Sequence, residues 1–380
     1  MDFELSEELS LLQATVRRFV RQELFPAEPT VLRERAWGGT ILLALQAKAR
    51  EANLWLPHVP AEHGGLGLSL LPLVLLWEEA YQSVAMPFRG PTCFGPDVPP
   101  LLYSASETQR ERYLRPAVEG KRRGCFALSE PQGGAEAGEL KSEAVRTGNG
   151  YRLAGEKSWV YGAAEADFAI VIARAPEGPT AFLVDLPSRG CRLSEPIQTM
   201  LGEPLHSIHL DECQLPADAL LGNPGEGLVA WERMLPVEQV KQAAREVAVA
   251  ERALRMSTEY AGQRVTFGQP LAKRQQIQWM LVDSAVELHT TRLLLHETAW
   301  RADRGEAIAA LARMLKLQAN EMAGRVLDRA LQIHGGIGLT ADLPLERWYK
   351  HVRAERLEAG TTERLRSALA QELLSGRPLP

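Results

Sequence analysis

The sequence predicts an α+β chain, or one built from separate all-α and all-β domains, because its helix-like and strand-like segments are segregated. Three observations carry that prediction. The first third repeats apolar residues at helical spacing. Residues from about Gly124 to about Gly222 read as short strands and turns. From Gly225 onward the chain returns to long helices with apolar stripes. A doubly wound βαβ sheet would interleave the two kinds of segment, and here they do not interleave.

Taken in order, Ser6 ahead of Glu7 and Glu8 is a helix start, since a hydroxyl caps free N–H groups and acids suit the positive end of the helix dipole. Leu12, Val16, Phe19 and Val20 then share one helical face. Residues 58–68 form a glycine-containing loop, 70–80 a helix, and 107–118 another after the Pro- and Gly-rich stretch 87–100. Residues 145–153 predict a hairpin with Gly148, Asn149 and Gly150 in the turn. Residues 168–173 and 180–184 are β-rich runs. Ile208, Leu210 and Glu212 alternate with His209, Asp211 and Cys213, as in a half-buried strand. Val240, Ala243, Ala244, Val247 and Ala248 mark one long helix, ending before Gly268 and Pro270. Ile277, Leu281 and Leu288 mark a second, and Leu311, Leu315, Met322 and Val326 a third, closed by Gly335 and Gly336. The divisions fall at 1–120, 121–225 and 226–380.

At 380 residues, 45% hydrophobic and 24% charged, the chain has the composition of a soluble globular protein. A net charge of -5 gives no sign of a nucleic-acid or membrane surface. Cys93, Cys125, Cys191 and Cys213 form no C-x-x-C pair, which favours a reduced, cytoplasmic protein. The acidic N-terminus lacks a signal peptide's basic and apolar regions, and the most apolar run, 68–77, contains Pro72 and is too short to span a bilayer. His206 and His209, three apart on a strand, face opposite ways, and no other His, Cys or carboxylate group has metal-site spacing.

Six segments stand out, five for their chemistry and one, a strand exit, for its structural pattern. Ala127-Leu-Ser-Glu-Pro-Gln-Gly-Gly-Ala-Glu136 places small residues and a hydroxyl just after a strand, where exposed N–H groups can hold a ring and its phosphates. Gly155-Glu-Lys-Ser-Trp-Val-Tyr-Gly-Ala163 carries two aromatics. A strand exit runs from Leu215 to Leu228, through Leu220-Leu-Gly-Asn-Pro-Gly-Glu-Gly227. Arg264-Val-Thr-Phe-Gly-Gln-Pro-Leu-Ala-Lys-Arg-Gln275 follows a long helix. Gln332-Ile-His-Gly-Gly-Ile-Gly-Leu339 precedes Leu357-Glu-Ala-Gly-Thr-Thr-Glu363 by about one helix. Each alone reads as a turn or a packed aromatic. Together, in this order and over nearly the whole chain, they resemble the acyl-CoA dehydrogenases, a family of FAD flavoenzymes.

The resemblance implies an N-terminal helical domain, a middle β-sheet domain and a C-terminal domain of four-helix-bundle type. It implies FAD held by Leu128, Ser129, Gly134, Trp159 and Tyr161 in the middle domain. Arg264, Thr266, Phe267, Gln275, Gln332, Gly335 and Gly336 would serve the diphosphate and adenine half of a neighbouring subunit's FAD, with Thr361 and Glu363 near the pyrophosphate. A planar guanidinium suits a diphosphate because it donates twice. Ala135 stands where the family has a serine, and Tyr161 where it has a threonine. The implied partners are an acyl-CoA substrate, an electron-transferring flavoprotein, and further copies of the chain as a homodimer or homotetramer, with a hetero-oligomer as the alternative.

The family's reaction is α,β-desaturation of an acyl-CoA thioester, in which a carboxylate removes the α-proton. That carboxylate usually precedes the Gly-Thr turn, where this chain has Ala359. Ala359 keeps its backbone N–H, which the family uses to stabilise the charge developing on the thioester oxygen. Two acids are candidates for the missing base. Counting back from Arg264 places Glu238 where a minority of the family carries it, although Gln239 follows here in place of an arginine. Glu358 is adjacent to Ala359, but one residue shifts a side chain by about 3.8 Å and turns its direction. The alternative readings are a subunit without a base, a flavin oxidase or oxygenase on the same fold, and a non-catalytic structural homologue.

Overall fold

The computed structural model describes residues 4–35, 39–133 and 139–376. The chain divides into two compact units. The first comprises residues 1–60, 65–89 and 235–380, and the second residues 61–64 and 90–234. The N-terminal helices thus share a unit with the long C-terminal ones.

In the first unit, α1 (Glu7–Phe19) starts as its sequence predicts, with the Ser6 hydroxyl accepting from the Leu9 N–H at 3.3 Å. It continues through a wide turn, Val20–Leu24, into α2 (Phe25–Glu34), and α3 spans Thr40–Glu51. Helix α4 (Leu70–Ala80) is buried along almost its entire length, which explains why its sequence is apolar all round up to Trp77; the buried Glu78 and Glu79 that follow are paired with Arg292 and Arg17.

The second unit carries the short helices α5 (Glu107–Gln109) and α6 (Arg115–Val118), joined by Arg110–Leu114. Its sheet contains β1 (Gly124–Ala127), β2 (Glu143–Thr147), β3 (Gly150–Tyr161), β4 (Phe168–Ala175), β5 (Gly178–Asp185), β6 (Cys191–Leu193), β7 (Leu205–Pro216) and β8 (Leu220–Leu221). The strand order is β6-β7-β3-β2-β4-β5-β8, with β1 pairing parallel to β4. Phe168 to Ala173 are all fully buried, so β4 is covered on both faces and needs no polar alternation.

Two sequence expectations are corrected here. Thr147 pairs with Gly150, so the hairpin turn is Gly148-Asn149 alone and Gly150 begins the strand. A Cβ on Gly150 would lie 2.1 Å from the Leu215 carbonyl oxygen, so glycine is required there by close strand approach. The alternation expected around Ile208 holds through Leu210 and then breaks. Opposite β3 the register runs Leu153↔Cys213 and Gly155↔Leu210, which leaves two residues of β7 facing one of β3. Glu212 absorbs this bulge at φ 54, leaving Glu212 exposed and turning Cys213 into the core.

The chain then enters α7 (Gly227–Gln263), in which Val240, Ala243, Ala244, Val247 and Ala248 are all fully buried. A two-residue hairpin, β9 (Val265–Thr266) with β10 (Gln269–Pro270), leads to α8 (Gln275–Asp303) and α9 (Ala309–His334). Helix α9 packs against α8, α10 (Leu345–Glu355) and α11 (Thr362–Leu374), and its Leu311, Leu315, Met322 and Val326 lie in that core. Among the described residues, no helix is long and apolar enough to cross a membrane.

Candidate active site

In the second unit, the loop after β1 is strapped to β3. The Ser158 N–H donates to the Ser129 carbonyl at 2.8 Å, and the buried Lys157 ammonium donates to the Leu128 carbonyl at 3.1 Å and to Glu130 Oε1 at 2.7 Å. Glu130 also accepts from the Lys141 and Ser142 N–H groups, at 2.7 and 3.0 Å. Desolvation opposes the Glu130 charge, but the Lys157 hydrogen bond and these amides outweigh it and hold the carboxyl below its usual range. Sequence reasoning passed over Glu130 and Lys157, although both lie inside quoted motifs. Such a pair is visible only once β3 is laid beside the loop.

Between Lys157 and Val160 the β3–β7 register shifts, and Trp159 sits there at φ 60. A positive φ on tryptophan is strained backbone. It leaves the indole 59% exposed between the buried Ser158 and Val160. Tyr161 lies two residues on and half-buried; a Cβ on Gly90 would meet its hydroxyl at 3.4 Å. Leu128 is buried and Ser129 half-buried, whereas Gly134, with Ala135 and Glu136, lies outside the described residues.

In the first unit, Phe267 and Gly268 form the β9–β10 turn with φ 49 and 80, and the Phe267 ring is 95% exposed. Two successive positive φ values suit a tight hairpin, but phenylalanine normally avoids them. Arg274 steadies this turn, donating to the Thr266 carbonyl at 3.0 Å and its hydroxyl at 3.1 Å. Arg264, Gln275, Gln332, Gly335 and Gly336 are exposed and Thr266 is half-buried. Nothing lies within 4 Å of a Cβ placed on Gly335 or Gly336. Thr361 caps α11 by accepting from the Arg364 N–H at 3.3 Å, and Glu363 is exposed in its first turn.

The turn that closes the 355–360 segment is also in this unit. Ala359 has φ 48, and its carbonyl accepts from the Gln239 side-chain amide at 2.9 Å. The residue following Glu238 therefore touches the position that lacks a carboxylate. Glu238 is half-buried, with Lys241 Nζ 4.0 Å from its carboxylate. His58 is close enough to feel both. Burial first, then the Lys241 charge, push its imidazole down to about 4, with Glu238 acting in the opposite sense. Glu358 is ion-paired with Arg89, which also approaches His351 Nδ1 at 3.4 Å.

Family models for the acyl-CoA dehydrogenase N-terminal, middle and C-terminal domains match residues 6–121, 125–213 and 225–374. The chain belongs to the acyl-CoA dehydrogenase family. It is 33% identical over 396 residues to (R)-benzylsuccinyl-CoA dehydrogenase of Thauera aromatica, covering 99% of this chain and 97% of that one. It is also 33% identical over 383 residues to the human mitochondrial short-chain specific acyl-CoA dehydrogenase, covering 98% of this chain and 91% of the relative. A structure of an acyl-CoA dehydrogenase from Mycobacterium abscessus superposes with a TM-score of 0.90 at 30% identity, over 99% of this chain and all of that one. As a member of this acyl-CoA dehydrogenase family, the chain is an FAD-binding flavoprotein oxidoreductase acting on CH–CH groups. The residues present fit that cofactor. The indole of Trp159 and the ring of Phe267 are held out in strained backbone, Arg264 is exposed three residues before Phe267, and the Arg274 guanidinium lies 5.4 Å from the centre of the Phe267 ring.

Proposed function

We propose that this acyl-CoA dehydrogenase desaturates an acyl-CoA thioester between its α and β carbons, with Glu238 as the base and electrons passing to an electron-transferring flavoprotein. The observation that carries the reading is the 2.9 Å hydrogen bond from Gln239 to the Ala359 carbonyl. It sets the turn of α7 that carries Gln239 beside the turn that carries Ala359, which supports a base drawn from that part of α7. Glu358, the other candidate, is held by Arg89.

Leu128, Ser129, Gly134, Trp159 and Tyr161 would hold the flavin end of FAD. Arg264, Thr266, Phe267, Gln275, Gln332, Gly335, Gly336, Thr361 and Glu363 would hold the diphosphate and adenosine end. When bound, FAD supplies the acceptor for the β-hydride. The protein's part is proton and charge handling. Glu238 takes the α-proton, and the Ala359 N–H donates to the thioester oxygen as negative charge gathers there.

Self-association belongs to the same reading, as a homodimer or homotetramer. Along α8, Trp279, Val286, Leu293 and Trp300 recur every seven residues and are 60%, 58%, 42% and 45% exposed. A heptad stripe of large apolar side chains on one helix is the pattern of a helix–helix seam. A cytoplasmic location belongs to the same reading, since Cys93, Cys125, Cys191 and Cys213 form no C-x-x-C pair.

The competing reading is a base-less subunit that pairs with a catalytic homologue, favoured by the alanine at position 359. Rapid mixing of the FAD-loaded protein with a panel of acyl-CoA thioesters decides between them. Bleaching of the flavin absorbance supports the desaturase. No bleaching with any member, together with co-purification of a Glu-bearing homologue, supports the partner subunit.

A further inference from the structure

Lys316 on α9 is fully buried, yet its ammonium is not spent on a carboxylate. It donates to three backbone carbonyls, those of Glu355 at 3.2 Å, Glu358, and Gly360 at 2.6 Å. An ammonium has three hydrogens, so its capacity is filled by one turn of chain. The nearby acids are engaged elsewhere: Glu355 pairs with Arg245, and Glu246 accepts from Asn320. Gln239 adds a fourth donor, at 2.9 Å from the Ala359 carbonyl. The peptides linking residues 358 to 359, 359 to 360, and 360 to 361 are thus each gripped by a buried side chain.

The grip on Glu358 matters most. Its carbonyl oxygen and the Ala359 N–H belong to one planar trans peptide, so they point in opposite directions. Holding the oxygen fixes where the N–H points. Placing a cation on the oxygen also draws electron density away from the nitrogen, which makes the N–H a stronger donor through hydrogen-bond cooperativity. Among the described residues, no backbone acceptor takes the Ala359 N–H.

We propose that Lys316 and Gln239 are positioning residues that orient the Ala359 peptide, with Lys316 also polarising it, as the donor to the substrate's thioester oxygen. The proposal rests on the desaturase reading above. A purely structural role is the alternative, since Lys316 also caps the last turn of α10, where cations are favourable.

The experiment is a spectrophotometric titration of acetoacetyl-CoA bound to the FAD-loaded protein, following its enolate band against pH. The readout is the acidity of the bound ligand, which reports stabilisation of the enolate oxygen without any turnover. Wild type is expected to lower the enolisation pKa of the ligand relative to free solution. Lys316→Met should forfeit about one pH unit or more of that lowering, tenfold in the equilibrium, and Gln239→Leu a smaller part. Affinity for CoA itself should stay within about twofold, because no CoA contact is removed. Equal enolisation in wild type and both variants overturns the proposal. If Lys316→Met does not retain FAD, Gln239→Leu decides alone: an unchanged enolate titration overturns the proposal and a raised one supports it. A wild type that binds acetoacetyl-CoA without changing its acidity removes the desaturase reading, and the proposal falls with it.

Discussion

The side-chain amide of Gln239 donates to the carbonyl of Ala359 at 2.9 Å, across 120 residues of sequence. The residue beside the candidate base thus holds the residue that replaced the usual one. A helix position and a turn position that look unrelated in sequence form one local unit.

Glu238→Gln keeps the shape of the side chain and removes its ability to accept a proton. Flavin reduction by the best acyl-CoA should slow by about 10²- to 10⁴-fold, the usual worth of a positioned base, with FAD content unchanged. Stopped-flow absorbance at saturating substrate measures it. A Glu238→Gln protein as fast as wild type would falsify the assignment, and Glu358→Gln then becomes the variant to test.

Arg264→Ala should release FAD. The lost contact is a charge-assisted hydrogen bond to phosphate, worth about 1.5–3 kcal/mol, so the dissociation constant should rise at least tenfold. Titration of deflavinated protein with FAD, followed by flavin fluorescence, provides the comparison. Unchanged affinity would show that Arg264 does not hold the diphosphate.

Trp279→Asp together with Leu293→Asp places charge in the exposed heptad stripe of α8. Sedimentation velocity should show wild type as a dimer or tetramer and the double variant shifted toward monomer. FAD occupancy should fall with assembly if neighbouring subunits share the cofactor. A double variant that sediments like wild type would move the interface to another face.

Lys157 and Glu130 form a buried ion pair at 2.7 Å. Lys157→Met leaves Glu130 without its cation, and removing one partner of such a pair costs about 3–5 kcal/mol. The urea midpoint should drop accordingly. Lys157→Met with Glu130→Gln should recover part of the loss, since no charge is then stranded. A Lys157→Met midpoint equal to wild type would show the pair to be solvated.

His351 is buried, and desolvation, followed by the charge of Arg89, pushes its imidazole down to about 2. The unfolded chain protonates this histidine near its ordinary value, while the folded chain keeps it neutral. Below about pH 6.5 the unfolded state therefore binds the extra proton, and stability falls as pH falls. The slope is about 1.4 kcal/mol per pH unit for this residue. Urea unfolding between pH 7 and 5 should show His351→Asn with the shallower dependence. Parallel wild-type and variant curves would mean that His351 titrates normally when folded.

Much of the architecture was readable beforehand because burial leaves a periodic trace. The predicted helix over 70–80 coincides with α4, and Ser6 caps α1 as its hydroxyl and the following acids suggest. Where the trace misled, a bulge was responsible. Glu212 and Trp159 both take a positive φ where β3 and β7 fall out of register, and an alternating pattern cannot announce that. The exposed apolar line on α8 was also hidden, because Ile277, Leu281 and Leu288 accounted for the helix without it.

For the site, the motifs named the stretches that carry it, and the single substitution at Ala359 raised the question of the base. The family resemblance, counted back from Arg264, pointed to Glu238. Only the tertiary structure joined Gln239 to Ala359, placed Lys316 under the same turn, and committed Glu358 to Arg89, 269 residues away. Sequence period records which side of an element is buried, since that depends on neighbours one turn or two residues away. The partner of a buried polar group depends on how whole elements pack and in what register, and that is decided only when the chain closes on itself.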